Sequence, residues 1–275
     1  MTDSYLAIDL GMTNIDIVQE RDQEKRRTML ANQHQAVMDQ LRQALSEVSY
    51  QLDFNTVIGV TGGRYRDLPE EVDGYRIRKV DEMVALGMGG LALSHRDSGL
   101  VVSAGTGAAM VSAQGDKIEH VTGSAVGGGT LLGLSRLILG TDDIAEIDRL
   151  AMKGDAAEVD IMLSEAVGGK VGRLPANANA VNLGKLDRGN DFSRENLAAG
   201  LVRLVAQVIA VIAINASNAA GLKDIIIVGH LADLESIRNE INLVGQFYHR
   251  EFTIPDNPGF GTASGVLEGL KRECE

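Results

Sequence analysis

Three short Gly/Thr turns in the 275-residue chain follow apolar runs: Asp9-Leu10-Gly11-Met12-Thr13-Asn14, Ser103-Ala104-Gly105-Thr106-Gly107 and Val228-Gly229-His230. Glycine at such a place lets the backbone approach an anion, successive N–H groups point inward, and Thr or Ser hydroxyls add donors, so the pattern fits phosphate capture. Asp9 closes the first apolar run, where a carboxylate can hold Mg2+ directly or through water. Taken alone, each turn reads also as a tight β-turn needing a positive φ. The same strand–turn–strand plan in both halves of the chain favours the phosphate reading.

A small basic cluster, Arg64, Tyr65 and Arg66, follows Thr61-Gly62-Gly63. It is either a seat for an anionic substrate group or a solvated loop. Asp81 stands where it would N-cap a helix, with Glu82 in the first turn as a partner for the helix dipole. His95, His230 and His249 lack metal-ligand spacing and receive no chemistry on this reading.

These residues need elements to hold them. Tyr5 to Asp9 and Ile15 to Val18 read as strands, with Asp22 to Arg27 as a charged hairpin or loop. His34 to Tyr50 carries Val37, Met38, Leu41, Leu45 and Val48 at helical spacing. Thr56–Val60 and Tyr75–Val80 read as strands, followed by a helix to Leu93. The order β-β-α-β-β-α is that of an α/β lobe, residues 1–97. A second α/β lobe, 98–275, opens with strands Leu100–Ser103 and Ala108–Ser112 and a hairpin at Gln114-Gly115-Asp116. Gly127-Gly128-Gly129-Thr130 starts a helix to Leu139, and helical segments continue through Leu163. Gly168 to Gly189 reads as a surface excursion or lid. Ser193 N-caps a long helix to about Ala219 that is apolar nearly all round, as in a core or a subunit interface, with Gly221 ending it. A strand Asp224–Val228, a helix Leu234–Leu243, a strand Phe252–Ile254 and a small-residue helix Gly259–Leu270 complete the chain.

The net charge of −12 would repel a polyanion, so nucleic acid is an unsuitable partner, while a nest of backbone amides can still hold a nucleotide. The one cysteine, Cys274, allows no intramolecular disulfide and no cysteine-ligated cluster within one chain. No signal peptide is visible, and Leu201 to Ala213, interrupted by Arg203 and Gln207, is too short and polar to span a bilayer. The expectation is a cytoplasmic protein with a small-molecule substrate and no membrane partner.

Asp-x-Gly-x-Thr-x-x-x-Ile-Val from Asp9, the Gly105-Thr106-Gly107 loop and Val228-Gly229 resemble the phosphate-1, phosphate-2 and adenosine motifs of the actin/Hsp70/sugar-kinase (ASKHA) superfamily. Further segments resemble the type II pantothenate kinase (fumble-like) family within it. These are Val121-Thr-Gly-Ser-Ala-Val-Gly-Gly-Gly-Thr-Leu-Leu-Gly-Leu134, Ala151-Met-Lys-Gly-Asp155 with Val159-Asp160, Asn182-Leu-Gly184 and Asn257-Pro-Gly-Phe-Gly-Thr-Ala-Ser-Gly265. The resemblance implies a two-lobed ribonuclease-H-like fold with an interlobe nucleotide cleft, ATP and Mg2+ as cofactors, a homodimer joined through the long apolar helix, and phosphorylation of a small-molecule hydroxyl, that of pantothenate or a pantetheine compound. It implies nucleotide contacts at Gly11, Thr13, Asn14, Ser103, Gly105, Thr106, Gly107, Gly127, Gly128, Gly129 and Gly229, although the triple glycine reads also as close helix packing. It implies a general base at Asp81 or Glu82, the alternative being their capping and dipole roles. Two departures stand out: the family's phosphate-side lysine falls at Asp16, and its substrate-side arginine falls at His120, which lacks a bidentate fork. They leave open a kinase for another acceptor, or a nucleotide-binding regulatory homologue without turnover. An ATPase that reactivates a radical or dehydratase enzyme is a third reading, which the lack of cluster-ligating cysteines disfavours.

Overall fold

The computed structural model describes residues 4–32, 35–49, 52, 56–189 and 191–273; His34 and Tyr50 at the ends of the expected first helix, and Cys274, lie outside them. The chain opens with β1 (Ser4–Leu10), β2 (Asn14–Arg21) and β3 (Glu24–Ala31), all antiparallel, then α1 (Val37–Val48), β4 (Val57–Thr61), β5 (Glu71–Val72) and β6 (Tyr75–Lys79). Their sheet runs β3-β2-β1-β4-β6-β5, with β4 and β6 parallel to β1. Of the two readings of Asp22–Arg27, hairpin or loop, the hairpin holds: Asp22 and Gln23 turn, at φ 51° and 68°, and Glu24 begins an edge strand. Its charges face solvent, so no apolar alternation marks it.

After α2 (Glu82–Ser94) the plan repeats with β7 (Ser98–Ala104), β8 (Ala108–Gln114) and β9 (Lys117–Ser124). The next stretch holds α3 (Gly128–Ile138), α4 (Ile144–Ala151), β10 (Ile161–Met162), α5 (Leu163–Val167) and β11 (Asn179–Val181). The expected helical segments through Leu163 are thus joined by the short strand β10, and the excursion at Gly168–Gly189 contributes a strand that pairs with it. The chain ends with α6 (Arg194–Ala219), β12 (Ile225–Val228), α7 (Glu235–Tyr248), β13 (Phe252–Thr253) and α8 (Gly261–Arg272). The second sheet, β13-β12-β7-β8-β9, repeats the order of the first: a hairpin extended by a third antiparallel strand on one side, parallel strands on the other.

Alternation along the strands sends side chains to two cores on each sheet. In the first, Leu6, Ile8, Ile15 and Ile17 face Leu41, Ala44 and Leu45 of α1, while Tyr5, Ala7 and Val18 face Ala263, Val266 and Leu267 of α8. In the second, Leu100, Val102, Ile225 and Ile227 face α6, while Val101, Val111, Ile226 and Val228 face Leu86 and Leu91 of α2. Each lobe therefore lends a helix to the other's sheet: α2 covers the second and α8 the first. By length and composition α6 would suffice to cross a bilayer, against the reading of Leu201–Ala213 as too short; most of its apolar window is buried inside the protein, which accounts for its apolarity. Its interrupting polar residues are satisfied. Arg203 forks onto Glu240 of α7 at 3.1 and 3.2 Å and reaches buried Asp160 at 3.3 Å. Gln207 bonds Asn179 and Asn182, and Asp160 accepts from the Leu183 amide, so the excursion is tied to α6.

The crossing of α2 and α8 is made by backbone. A Cβ at Gly89 would lie 1.8 Å from the Gly261 carbonyl oxygen, and one at Gly265 would lie 1.7 Å from that of Ala85. No side chain fits either place without moving a helix. Gly89→Ala is expected to cost about 3 kcal/mol or more in unfolding free energy. Gly133→Ala, on exposed α3 where a Cβ meets nothing, is expected to gain about 0.5–1 kcal/mol. Denaturant unfolding of the two variants beside the parent checks both signs.

Candidate active site

The two Gly/Thr hairpin turns meet where the sheets adjoin: the hydroxyls of Thr13 and Thr106 are 2.9 Å apart, across 93 residues of sequence. The first turn is braced from behind. Asn32 donates from Nδ2 to the carbonyls of Gly11 (2.8 Å) and Met12 (3.2 Å), and its amide donates to Thr13 O. The amides of Met12 and Thr13 take no hydrogen-bond partner among the described residues, which leaves both donors for an anion. Asn14 begins β2 beside them.

The second turn is packed from two sides. Gly128 N donates to Gly105 O at 2.8 Å and Gly129 N to Thr106 O at 2.9 Å, and a Cβ on Gly127 would lie 2.7 Å from Gly107 Cα. Of the two readings of the triple glycine, close packing is the one these contacts supply. The amides of Gly128 and Gly129 are spent on holding the loop, and close packing is what requires the absence of side chains. Gly229 closes the other side: at φ 96° its Cα sits against Ala104, where a Cβ would lie 2.6 Å from the carbonyl oxygen. Ser103 lies next to Val228 in the parallel pairing of β7 and β12.

Below the turns lies a cluster of charge. Asp9 and Asp16 are directly opposite in the β1–β2 register, so both carboxylates lie on the face that α8 covers. The end of β4 closes over Asp9, since a Cβ on Gly62 would lie 2.3 Å from its Oδ1. Enclosure, reinforced by the carboxylates of Asp16 and Glu82, raises the Asp9 pKa to about 8, while His230 and the Thr262 hydroxyl act to lower it. Asp16, where the resembled family has a lysine, is not a loose charge. Its Oδ1 is 2.9 Å from His230 Nε2, and His230 Nδ1 is 2.8 Å from Asp233 Oδ2. Burial would lower the histidine's pKa, but the hydrogen bonds to Asp16 and Asp233, with their charges, hold it up at about 10. His230, given no chemistry from spacing alone, is therefore a half-buried imidazolium at the junction of the lobes.

Asp81 and Glu82 are adjacent but differently employed. Asp81 Oδ1 caps α2 through the amides of Met83 (3.0 Å) and Val84 (3.4 Å), and Oδ2 takes Arg66 Nη2 at 2.8 Å. Glu82 makes no hydrogen bond or ion pair among the described residues. Though exposed as a residue, its carboxyl is partly desolvated, which with the neighbouring Asp81 charge raises its pKa against the pull of Arg66. Arg64 pairs with Asp67 at 2.7 Å, and Arg66 also lies over the Tyr65 ring. His120 stands exposed on β9, opposite Val111 and beside a bulge, without a polar partner among the described residues.

Residues 99–251, over half of the chain and including the second loop, the triple glycine and Gly229, match the family model described as Fumble. The chain belongs to the Fumble family. Among curated proteins this Fumble member is 25% identical over 230 residues to the type II pantothenate kinase of Oceanobacillus iheyensis, covering 82% of the chain and 83% of that protein. It is 34% identical over 154 residues to pantothenate kinase 1 of Oryza sativa subsp. japonica, where the match spans 52% of the chain and only 23% of the longer rice protein. The solved structure of the Acidaminococcus fermentans (R)-2-hydroxyglutaryl-CoA dehydratase component A superposes with a TM-score of 0.69 at 17% identity, covering 99% and 100% of the two chains. A ROK family glucokinase from Streptomyces griseus, in complex with glucose and AMPPNP, gives 0.62 at 13%, covering 98% and 99%. Both share the fold with the Fumble chain, which is the two-lobed actin/Hsp70/sugar-kinase fold.

The Asp9 environment has a thermodynamic consequence. A carboxyl whose folded pKa is raised from 3.8 to about 8 costs the ligand-free fold stability as pH climbs through that interval, because the unfolded chain releases the proton first. Asp9→Asn removes the cost. Its melting temperature is expected to exceed the parent's by several degrees at pH 9, on the order of 2 kcal/mol, with the gap shrinking toward pH 4. Thermal denaturation of both proteins across that pH range checks it.

Proposed function

We propose that the chain is an ATP-dependent kinase that transfers the γ-phosphoryl group to a hydroxyl of pantothenate or a related pantetheine compound. The observation that carries this reading is the meeting of Thr13 and Thr106 from opposite lobes, above the Asp9 carboxylate, in a chain of the Fumble family. When bound, ATP would supply the phosphoryl group and Mg2+ would neutralise its charge. The amides of Met12 and Thr13 and the two threonine hydroxyls would hold phosphate oxygens, and Gly229 would lie against the adenosine. Asp9 would hold Mg2+. Among the described residues no group of three or more His, Cys, Asp or Glu is arranged for a metal, which suits an ion bound through one carboxylate, water and phosphates.

Of the two candidate bases, the geometry favours Glu82. Both Asp81 oxygens are engaged, whereas Glu82 is unpaired, stands close enough to Asp9 to affect its pKa, and has a raised pKa of its own, as suits a group that accepts a proton from a hydroxyl near neutral pH. Arg66 and His120 remain candidates for the acceptor, Arg66 at the Asp81 end and His120 on β9. The reading includes a cytoplasmic homodimer, in which the partly exposed stripe Leu204, Val208, Val211 and Ile212 of α6 would be covered by a second copy. A nucleotide-binding regulator without turnover is the second reading, favoured by a carboxylate at position 16.

A coupled ADP-release assay with Mg2+ and a panel of hydroxyl compounds separates the two. Pantothenate-stimulated release is expected, with Glu82→Gln lowering kcat by about 100-fold or more while ADP still binds. Asp81→Ala is expected to cost about 1 kcal/mol of stability and to leave turnover within a few-fold. Binding of ADP without stimulation by any acceptor contradicts the kinase reading.

A further inference from the structure

We propose that His230 is a positioning residue for the nucleotide: it neutralises Asp16 at the cleft floor and clasps the first-loop hairpin to the turn that carries Gly229. The inference rests on the nucleotide reading of the cleft and deepens it. Asp16 is 5% exposed and shares the face of Asp9, so a second bare carboxylate there would oppose any phosphate held above it. Its one hydrogen-bond partner among the described residues is His230, which comes from the other lobe, 214 residues along the chain.

The ring is fixed on every side. Asp233 takes the second nitrogen at 2.8 Å. Phe260 meets the ring edge-on, with centroids 5.9 Å apart. A Cβ on Gly259 would lie 2.3 Å from Nδ1, so the residue above the imidazole must be glycine. A carboxylate accepts and cannot donate, and this ring has one at each nitrogen; two N–H donors make it an imidazolium. The Asp16–His230–Asp233 chain thereby joins β2 of the first sheet to the turn after β12 of the second. It carries a cation to the floor of the cleft, on a side chain that stays 26% exposed. Glutamine is of similar size but is neutral and cannot donate in both directions, so in His230→Gln no cation answers the Asp16 carboxyl, whose pKa burial already raises.

The test is calorimetric titration of the full chain with ADP, with and without Mg2+, beside thermal melts of the ligand-free proteins. His230→Gln is expected to weaken ADP binding by about tenfold or more. The double variant Asp16→Asn/His230→Gln is expected to recover most of that loss, because the uncompensated carboxylate is gone. Asp233→Asn, which leaves the Asp16 contact in place, is expected to shift affinity in the same direction by less. A His230→Gln protein that binds ADP within about twofold of the parent, or a double variant as weak as the single one, overturns the proposal. If His230→Gln does not fold, the comparison of Asp233→Asn with the double variant decides: an unchanged Asp233→Asn affinity, or a folded double variant that binds weakly, overturns it. Failure of the parent itself to bind ADP would count against the nucleotide reading, a result distinct from these.

Discussion

Everything in the cleft depends on two helices touching backbone to backbone. α2 and α8 come from opposite halves of the chain, and each lies on the other half's sheet. Gly89 against Gly261, and Gly265 against Ala85, set their separation at a distance no side chain permits. Close-packed interiors do not deform gradually, so this crossing fixes how far apart the two sheets stand. The Thr13–Thr106 contact follows from that spacing, since each threonine sits in a hairpin turn at the end of a central strand. The glycines at the crossing and the glycines in the loops thus serve one purpose at two places, the close approach of main chain.

Electrostatics complete what packing begins. An acidic protein that holds a triphosphate must answer the repulsion locally, with amides, a metal and buried cations. Here the first-loop amides are left available because Asn32 occupies the carbonyls behind them. The cation here is the half-buried His230, held between two aspartates. The Asp9 carboxyl, enclosed beside Asp16, is more easily protonated than an ordinary aspartate in the ligand-free fold, a condition that a divalent ion would relieve.

Much of this was legible in the sequence where the signal is local. Strand–turn–strand segments, the Asp81 and Ser193 caps and the long α6 follow from periodicity and capping chemistry over a few residues. Edge strand β3 was not legible, because a solvent-facing strand carries charge instead of alternation. The exchange of α2 and α8 was hidden too: α2 is apolar on nearly every side, so no single face announces which sheet it covers. Asp16 and His230 could not be joined by spacing at a separation of 214 residues. The clue was chemical, a carboxylate facing a proposed phosphate site together with a histidine directly after Gly229. The triple glycine reads two ways in the sequence because packing and phosphate binding require the same residue; hydrogen bonds from Gly128 and Gly129 into the second loop display the packing role.

The most direct measurement is a crystal structure of the chain with a non-hydrolysable ATP analogue and Mg2+. The account predicts phosphate oxygens on the amides of Met12 and Thr13 and on the hydroxyls of Thr13 and Thr106, with the metal on the Asp9 side and the adenosine against Gly229. A nucleotide contacted by only one lobe, or bound away from these turns, would contradict it.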